Sequence, residues 1–575
     1  MKLFSSPSIV VVLLSVWSIL PLTSQDLYPD SLFQSPVDYP IVLGGSFAEL
    51  RSSHFHAGID IKPQGKKSVD TIRAAAGGYI SRIKVQTGGY GNVLYMKHPS
   101  GYTTVYAHLE VFHDSIQAYI QSLQRSVEKY AVEVFPDSSR FTLSRGDVLG
   151  LMGNTGRSYG KHLHFEIRET ASEIPINPAL FGLKPDDTRP PSILSMDIYE
   201  MDRNFRKIDA HTYQPRHYKD GIHRIEDGKI HLSSDWCGIG IQAYDRMDGA
   251  ENKNGVYYQK VYVDDTLYYS YTLDKVSFAE SRYIQSHVNY EEKKKNRRTL
   301  VQCFRHPGST LTIYDTLVNE GLIRLEEGTP RRVKVVLGDI ENNESIIYFS
   351  LFRKVDGVPK DGNSFNLYVP YSEEKALTIG NLHATIPAYT FDKNTFLSYH
   401  SSTDSIGRTM YHLDTDHTAA YKRIPISVPI ENIESEWWPY TCLLKANEDT
   451  YSTLGGSVEE GTFAGRLNAL GSFTIGIDTI PPTINPDSDN NVFKSGDVLV
   501  FTMKDNFTPG GDAEEIDYDV YIDGKWTIAQ HKVLTDRLYV PIPAYTEPSV
   551  IQLKIVATDD RGNVGTLLKN YNINP

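Results

Sequence analysis

The chain has 575 residues, of which 40% are hydrophobic and 22% charged, and it carries a formal net charge of −13 at pH 7. This length predicts about three or four domains, and the acidic balance argues against a nucleic-acid-binding surface, which would be basic. The cysteines Cys237, Cys303 and Cys442 are too few and too widely spaced to build a disulfide framework.

The first 24 residues are typical of a secretory signal peptide. Lys2 gives a positive start, an apolar run extends from Ile9 to Leu22, and the small polar residues Thr23 and Ser24 follow. No later stretch stays apolar over the roughly eighteen residues that a membrane span requires. We therefore predict an exported protein, periplasmic, associated with the cell envelope or extracellular, with no transmembrane segment in the mature chain.

The stretch HFHAGIDIK places His56 four residues before Asp60. Side chains separated by an even number of residues share one face of a strand, so these two share a face if Gly58 does not bend the chain. Imidazole and carboxylate groups are both good zinc ligands. The stretch therefore predicts two ligands of a metal site.

Two short strands are predicted next, at 79–85 and 93–97, because each alternates in part and follows a glycine pair. His108 comes soon afterwards, in the segment TTVYAHLE. Several short strands separated by glycine turns indicate an antiparallel β domain with a groove on one face.

An insertion at about 113–138 has apolar residues at the three- and four-residue steps of an amphipathic helix. Asp114 or Ser115 is expected to cap its start, and Pro136 to stop it. We predict that its apolar stripe packs on the sheet and hypothesise that its outer face narrows or gates a substrate cleft. The apolar positions are Ile116, Tyr119, Ile120, Leu123, Val127, Tyr130, Ala131 and Val134.

The stretch GKHLHFEIR places His162 and His164 on the same face of a predicted strand. With His56 and Asp60 they supply three zinc ligands and a spare imidazole. Three such ligands leave one tetrahedral position open for water, which is typical of catalytic rather than structural zinc sites. The sequence has no HExxH motif to supply a glutamate base, so a histidine must take that role.

The chain resembles the M23, or lysostaphin-like, zinc metallopeptidases, which cut peptide crosslinks in bacterial cell walls. The resemblance runs in order through about residues 41–180, in the blocks HAGID, AAAGGYISRI, GGYGNVLYMKH, TTVYAHLE, SRGDVLGLMGNTGRS, HLHFEIRE and INP. It implies one zinc ion bound by His56, Asp60 and His164, and it implies that His108 and His162 are the catalytic pair. Relatives commonly have Ser-Thr-Gly-Pro where residues 158–161 read Ser-Tyr-Gly-Lys, a departure that bears on substrate preference.

The chemistry of these side chains agrees with a hydrolase. Zinc lowers the pKa of its bound water to about 7 and polarises a carbonyl group. An imidazole of near-neutral pKa can take the remaining proton and return it to the leaving amine. His162 is suited to this transfer because it lies on the same strand face as His164, and His108 could share the transfer or stabilise the oxyanion.

Two similar phrases divide the rest of the chain, at 187–193 (DTRPPSI) and at 478–484 (DTIPPTI). Each is followed by a V-Y-V/I-D segment and later by an apolar strand with a polar turn, VKVVLGDIENNES at 333–345 and LKIVATDDRGNVG at 553–565. Such similarity is typical of duplicated modules, and the many short Tyr-, Val- and Ile-rich strands favour β-sandwiches resembling the immunoglobulin class.

We therefore predict a mostly β protein, with an antiparallel β peptidase domain that carries an inserted helix and two or three β-sandwich domains behind it. The predicted limits are 1–24 for the signal peptide, 25–186 for the peptidase domain, and 187–355, 356–477 and 478–575 for the β domains. The predicted function is a secreted zinc endopeptidase that hydrolyses peptidoglycan stems or crosslinks. The alternative is a non-catalytic wall-binding or hydrolase-regulating scaffold, with a protein partner bound through the β domains.

Overall fold

The computed structural model describes residues 28–65, 67–354, 366–415, 418–430, 432–448 and 450–575. The predicted signal peptide lies outside these residues. For description we call 28–186 the first unit, 187–354 the second, 366–477 the third and 478–575 the fourth. The limits predicted for the domains stay predictions.

Strands make up 48% of the structure and helices 8%, so the mostly β prediction is confirmed. In the first unit the predicted strands at 79–85 and 93–97 form as β4 and β5. The strands of this unit are β1 Leu43–Gly45, β2 Ile59–Ile61, β3 Thr71–Arg73, β4 Gly78–Val85, β5 Val93–Lys97, β6 Tyr102–Ala107, β7 Leu109–Phe112, β8 Val132–Val134, β9 Thr142–Leu143, β10 Val148–Met152, β11 Leu163–Glu169 and β12 Pro175–Ile176.

The main sheet of the first unit has the order β1-β2-β11-β6-β5-β4-β8, with β12 beside β11 and β9 beside β4. A smaller sheet has the order β3-β10-β7. Because β2, β11 and β6 are adjacent and antiparallel, residues distant in sequence meet on one surface: His164 pairs with Asp60 on one side and with Ala107 on the other.

The predicted inserted helix is α1, Asp114–Val127. Ile116 and Ile120 are buried against the sheet, as the apolar spacing predicted. The prediction is wrong in two respects. Glu128 adopts a left-handed conformation that ends the helix, so Val134 belongs to strand β8 instead. The N-cap is His113, whose side chain makes no capping hydrogen bond, and neither Asp114 nor Ser115 takes that position.

The second unit is built on a sheet of order β14-β13-β17-β20, with β22 beside β17, and on a sheet of order β15-β16-β24-β23-β18-β19-β21. The strands are β13 Ser192–Met201, β14 Lys207–Tyr213, β15 Arg216–Lys219, β16 Ile222–Leu232, β17 Trp236–Tyr244, β18 Tyr258–Val263, β19 Thr266–Thr272, β20 Val301–Gln302, β21 Tyr314–Leu317, β22 Ile323–Arg324, β23 Arg331–Gly338 and β24 Glu344–Arg353. The short helices α2 Ile284–His287 and α3 Tyr290–Lys295 connect β19 to β20.

The third unit pairs its strands in the orders β25-β28-β29-β35-β31-β32 and β26-β27-β30-β34-β33 around one apolar core. The strands are β25 Leu367–Val369, β26 Lys375–Ile379, β27 Leu382–Ile386, β28 Thr395–Thr403, β29 Thr409–Thr415, β30 Ile424–Pro429, β31 Thr441–Ala446, β32 Tyr451–Thr453, β33 Ser457–Glu459, β34 Thr462–Leu467 and β35 Gly471–Ile477.

The fourth unit has the orders β36-β38-β43-β42 and β37-β45-β44-β40-β41, again around one core. The strands are β36 Thr483–Pro486, β37 Val492–Lys494, β38 Val498–Lys504, β39 Thr508–Pro509, β40 Asp517–Ile522, β41 Lys525–Trp526, β42 Gln530–Lys532, β43 Arg537–Pro541, β44 Ser549–Thr558 and β45 Val564–Asn574. Strand β39 instead pairs with β32 of the third unit, so the two units share a sheet edge.

The first, second and fourth units contact one another through buried apolar residues and an ion pair. The buried apolar residues of the first and second units form one continuous cluster, and Tyr518 and Ile528 of the fourth unit pack against it. Lys129 forms an ion pair with Asp517 at 2.9 Å, which joins the segment after α1 to the fourth unit. None of the helices in the described part of the chain has the length and hydropathy of a membrane span.

Candidate metal centre and active site

The predicted ligands His56, Asp60 and His164 converge at one point of the main sheet. The Nε2 atom of His56 lies 2.9 Å from Nδ1 of His164 and 3.0 Å from Oδ1 of Asp60, and the latter two atoms are 3.1 Å apart. Tetrahedral zinc with bonds of about 2.0–2.1 Å separates neighbouring ligand atoms by about 3.3 Å. The three donor atoms therefore fit a zinc ion after a small outward shift.

Gly58 is the reason that the His56 loop comes this close. A Cβ atom at Gly58 would lie 2.3 Å from the carbonyl oxygen of Phe165 in strand β11. Only glycine allows the backbone to approach that strand. The sequence predicted that His56 and Asp60 share a strand face if Gly58 does not bend the chain. Strand β2 begins only at Ile59, so His56 instead lies in the loop before it and approaches Asp60 from there.

Hydrogen bonds outside the centre fix which nitrogen of each ligand faces it. Nδ1 of His56 donates to the carbonyl oxygen of Ser46 at 2.7 Å, which leaves Nε2 unprotonated toward Asp60. Nε2 of His164 donates to Oε1 of Glu166 at 2.7 Å, which leaves Nδ1 facing the centre. One nitrogen of each histidine and a carboxylate oxygen therefore face one another, an arrangement that a proton on His164 or a bound cation can bridge.

The electrostatics of the ligands agree with a cation site. Burial alone would lower the pKa of His164, but hydrogen bonds to Asp60 and Glu166 raise it to about 9. Burial raises the pKa of Asp60, yet the surrounding histidines His56, His162 and His164 bring it well below its usual value. The site thus keeps its carboxylate ionised and attracts positive charge.

Glu166 is a buried functional residue that the sequence analysis did not single out. Its Oε2 accepts from Nε of Arg168 at 2.6 Å and its Oε1 accepts from the Tyr90 hydroxyl at 2.5 Å, as well as from His164. Burial would raise its pKa, but Arg168 and His164 lower it to about 2. The signal was available, because Glu166 follows His162 and His164 at the same two-residue spacing in β11.

Arg51 holds the ligand Asp60 from outside the centre. Its Nη2 atom donates to Oδ2 of Asp60 at 2.8 Å and lies 3.6 Å from Glu49. One oxygen of Asp60 is therefore held by Arg51, and Oδ1 is the oxygen left for a metal. His98 lies away from this centre, buried and hydrogen-bonded to Gly77 and Thr104.

The predicted catalytic pair lies beside the ligands. The rings of His108 and His162 are 4.8 Å apart between centroids, and Nε2 of His162 lies 3.4 Å from Oδ1 of Asp60. Nδ1 of His162 donates to the carbonyl oxygen of Gly160 at 2.8 Å, so Nε2 is the nitrogen that faces the centre. The His162 side chain stays 20% exposed, whereas that of His164 is 6% exposed, so His162 is the histidine open to a substrate.

His108 occupies a strained position. Its φ of 61° lies in the left-handed region, which is uncommon for a residue with a Cβ atom and often marks functional sites. Nδ1 of His108 donates to the carbonyl oxygen of Thr155 at 2.8 Å. Burial, together with the charges of His164 and His162, lowers the pKa of His108 to about 3, so its ring is neutral with Nε2 as an acceptor.

Lys161 occupies the position at which relatives commonly have proline, but its positive charge is paired with a carboxylate and does not act alone on the metal centre. Its Nζ atom donates to Oδ2 of the buried Asp70 at 2.6 Å and to the carbonyl oxygen of Ser68. Asp70 therefore neutralises Lys161, and the turn before His162 is anchored to the loop before β3.

A cavity of about 840 Å³ opens over the ligand side of the centre. Its walls come from all four units, and none of its lining residues belongs to 113–138, so within the described residues α1 does not form a wall of this cavity. The hypothesis that the helix narrows the cleft is wrong for this cavity. The charged and aromatic lining residues are His54, His56, Tyr90, His164, Phe278, Arg282, Tyr290, Lys294, Asp414, Arg423 and Lys445.

Residues 54–124 match the model of peptidase family M23, and residues 366–478 match that of a Zu5-like domain. The first match includes the predicted site residues His56, Asp60 and His108. The chain carries an M23 peptidase domain. The other two predicted site residues, His162 and His164, lie beyond the matched range, just before and within strand β11.

The M23 domain also has curated relatives. Over 135 residues it is 33% identical to the DD-carboxypeptidase/endopeptidase Mpg of Neisseria meningitidis serogroup B, an alignment covering 23% of this chain and 24% of that protein. Over 112 residues it is 30% identical to an uncharacterized metalloprotease of Haemophilus influenzae, covering 19% and 18% of the two chains. The chain thus spans about a quarter or less of the length of these curated relatives.

Among solved structures, a zinc-containing peptidase from Vibrio cholerae is similar at 23% identity with a TM-score of 0.18. That match covers 27% of this chain and 41% of the other. The family resemblance predicted from the sequence is confirmed by the M23 family match and the Mpg relatives.

Proposed function

We propose that this protein is an exported zinc endopeptidase that hydrolyses peptide bonds in peptidoglycan stems or crosslinks. The observation that carries the proposal is the convergence of three possible ligand atoms, Nε2 of His56, Oδ1 of Asp60 and Nδ1 of His164, beside the partly exposed imidazole of His162. The names of the Mpg relatives, which are DD-carboxypeptidases and endopeptidases, support a peptide substrate of this kind.

His56, Asp60 and His164 would hold the zinc ion, which supplies a Lewis acid for the scissile carbonyl and for water. The Nε2 atom of His162 is free to accept the proton of the attacking water and to return it to the leaving amine. The Gly160 carbonyl holds the His162 ring in the tautomer that this transfer requires. His108, neutral and with Nε2 as an acceptor, is suited to orient the water or share its proton.

The cavity supports an acidic peptide as substrate. Arg282, Lys294 and Lys445 contribute positive charge to its lining, while Asp414 is acidic. Burial and the nearby charge of Lys294 lower the pKa of Lys445, which indicates that the two lysines face the same space. A carboxylate on the substrate would relieve this repulsion.

The alternative is a non-catalytic wall-binding or hydrolase-regulating scaffold. It is favoured by the cavity walls, because the second, third and fourth units all contribute to them and would limit access for a polymeric wall. In this case the metal ligands would stay intact while a partner or the wall itself occupies the groove.

Zinc content and the release of soluble fragments from purified sacculi separate the two functions. We expect wild type to contain about one zinc per chain and to release fragments. His162→Ala should keep its zinc and lose about 10²- to 10⁴-fold in rate, since a proton-transfer group is removed, whereas Asp60→Ala should lose both zinc and activity.

His113→Ala is the matched control, because His113 is an exposed histidine outside the site and its loss should change neither measurement. If wild type and both site variants bind the wall but release equally negligible amounts of soluble fragments, the enzyme proposal fails and the scaffold function is supported.

A further inference from the structure

Two clusters of three aspartates lie outside the M23 site, one in each duplicated module. Asp187, Asp245 and Asp339 form the first cluster, in the second unit. In it, one carboxylate oxygen from each residue lies within 4.8 Å of the other two. The second cluster, in the fourth unit, consists of Asp478, Asp505 and Asp559 and has the same compactness.

The clusters occupy equivalent sequence positions. Asp187 and Asp478 open the two DT-x-PP phrases, and Asp339 and Asp559 are the seventh residues of the repeated strand-and-turn segments. Asp245 and Asp505 directly follow strands β17 and β38. The duplication has therefore kept all three carboxylates in both modules.

The hydrogen bonds around the first cluster are specific. Asn343 donates from its backbone N to Oδ1 of Asp339 at 2.9 Å and from Nδ2 to Oδ2 at 2.7 Å. The same Nδ2 lies 3.1 Å from the carbonyl oxygen of Asp187, and the backbone N of Arg189 donates to Oδ1 of Asp187 at 3.0 Å. Asn343 thereby joins the segment that enters the module at Asp187 to the turn that follows Asp339.

The second cluster repeats these contacts. Asn563 donates from its backbone N to Oδ1 of Asp559 at 2.9 Å, from Nδ2 to Oδ2 at 2.8 Å, and from Nδ2 to the carbonyl oxygen of Asp478 at 3.0 Å. The backbone N of Ile480 donates to Oδ1 of Asp478 at 3.2 Å. Two copies with the same donors and acceptors show one built arrangement rather than two accidental ones.

Each cluster also holds a buried carboxylate oxygen with no hydrogen-bond partner. These are Oδ1 of Asp245 in the first cluster and Oδ2 of Asp478 and Oδ1 of Asp505 in the second. Asp245 and Asp478 are each only 1% exposed. A buried carboxylate oxygen without a partner is costly, and in both modules such oxygens belong to the cluster, so a cation bound by the three carboxylates would supply the missing partner.

Basic side chains compensate the charge only in part, since the charges of Arg189 and Arg561 lower the pKa of Asp245 and of Asp478 against the larger effect of burial. Among the described residues, none of the six aspartates forms an ion pair, and Arg561 instead pairs with Asp560 and hydrogen-bonds carbonyl oxygens of the third unit. Burial, together with the neighbouring carboxylates, raises the pKa of Asp245 and of Asp505 to about 7.

We propose that each cluster binds one calcium ion. All the donors are oxygens and neither cluster contains a histidine or cysteine, which excludes the ligands that zinc prefers. Three carboxylates and nearby backbone carbonyls match the hard, flexible coordination of Ca²⁺ better than the strict octahedron of Mg²⁺. Because Asp187 and Asp478 lie where the chain enters each module, each ion would tie the entering segment to the body of its own module.

Calorimetric titration of the zinc-loaded full-length protein with calcium chloride tests the proposal. We expect two ions per chain, bound at or below about 1 mM, the range of extracellular calcium modules. Asp245→Asn should remove one site, Asp505→Asn the other, and the double variant both. Asp265→Asn, at an exposed aspartate of the second unit outside both clusters, should keep two sites.

Thermal unfolding keeps the test informative if a variant folds poorly. Calcium should raise the Tm of wild type by several degrees relative to protein in chelator, and this rise should shrink in each single variant and vanish in the double variant. The proposal would be overturned if wild type bound no calcium up to about 10 mM, 10-fold above the expected range. It would also be overturned if the double variant still bound calcium. Equal or tighter binding of magnesium would overturn the choice of ion.

Discussion

At the residue scale, the centre depends on side chains that orient the metal ligands. Glu166 has 0% side-chain exposure and joins His164, Arg168 and Tyr90 in one buried network. Partners of this kind fix ligand tautomers and tune metal affinity. The two-residue spacing that identified His162 and His164 also applies to Glu166. Tyr90, in contrast, lies in the GGYGN turn, where no periodicity marks it.

Glu166→Gln should weaken zinc binding about 10- to 100-fold, because the amide keeps the shape but removes the charge that favours His164 as a ligand. Competition with a chromophoric chelator measures this affinity. Glu173→Gln is the matched control, since Glu173 contacts the same Arg168 from an exposed position and should leave zinc affinity unchanged. An unchanged affinity in Glu166→Gln would show that the network is structural only.

At the element scale, helix α1 packs its apolar stripe into the core and does not line the cavity over the metal ligands. Ile116 and Ile120 are each 1% exposed and belong to the core shared by the first and second units, whereas Val127 is 50% exposed. The three- and four-residue spacing predicted this stripe. The predicted helix was too long because Tyr130 and Val134, beyond its end, are also apolar. The left-handed conformation of Glu128, which ends the helix before them, has no clear signal in the sequence.

Ile120→Ala should lower the free energy of unfolding by about 2–5 kcal/mol, the usual cost of emptying a buried site. Val127→Ala, at the exposed end of the same helix, should change it by no more than about 0.5 kcal/mol. Urea unfolding followed by circular dichroism makes the comparison. Neither substitution should alter the ratio of cleavage rates on sacculi and on a short crosslinked peptide, and a changed ratio would restore the gating hypothesis.

At the scale of the whole molecule, the later units support and cover the centre. Phe55 donates its backbone N to Oγ of Ser281 at 3.0 Å, and Lys293 donates to the carbonyl oxygen of Arg51 at 3.0 Å, so the second unit holds the loop that carries His56. The cavity above is locally basic although the chain is acidic, and the net charge therefore does not predict the charge of the groove.

Lys294→Ala and Lys445→Ala should each raise KM for an acidic stem peptide about fivefold, roughly 1 kcal/mol of lost attraction, while kcat stays within about twofold. Steady-state kinetics with an acidic peptide and its amidated form measure the effect, which should disappear for the amidated form. Lys295→Ala, the neighbour on α3 outside the cavity lining, is the control. An equal rise in KM on both peptides would contradict the charge interaction.

The sequence by itself determined the mostly β class, the M23 resemblance and the histidines and aspartate of the centre, because alternation along a strand and ligand chemistry are local properties. Only the tertiary structure decided that Arg51 holds Asp60, that the later units line the cavity, and that the aspartates of each repeated module meet in a cluster. These facts depend on strand order and packing between residues far apart in the chain, which local periodicity does not encode.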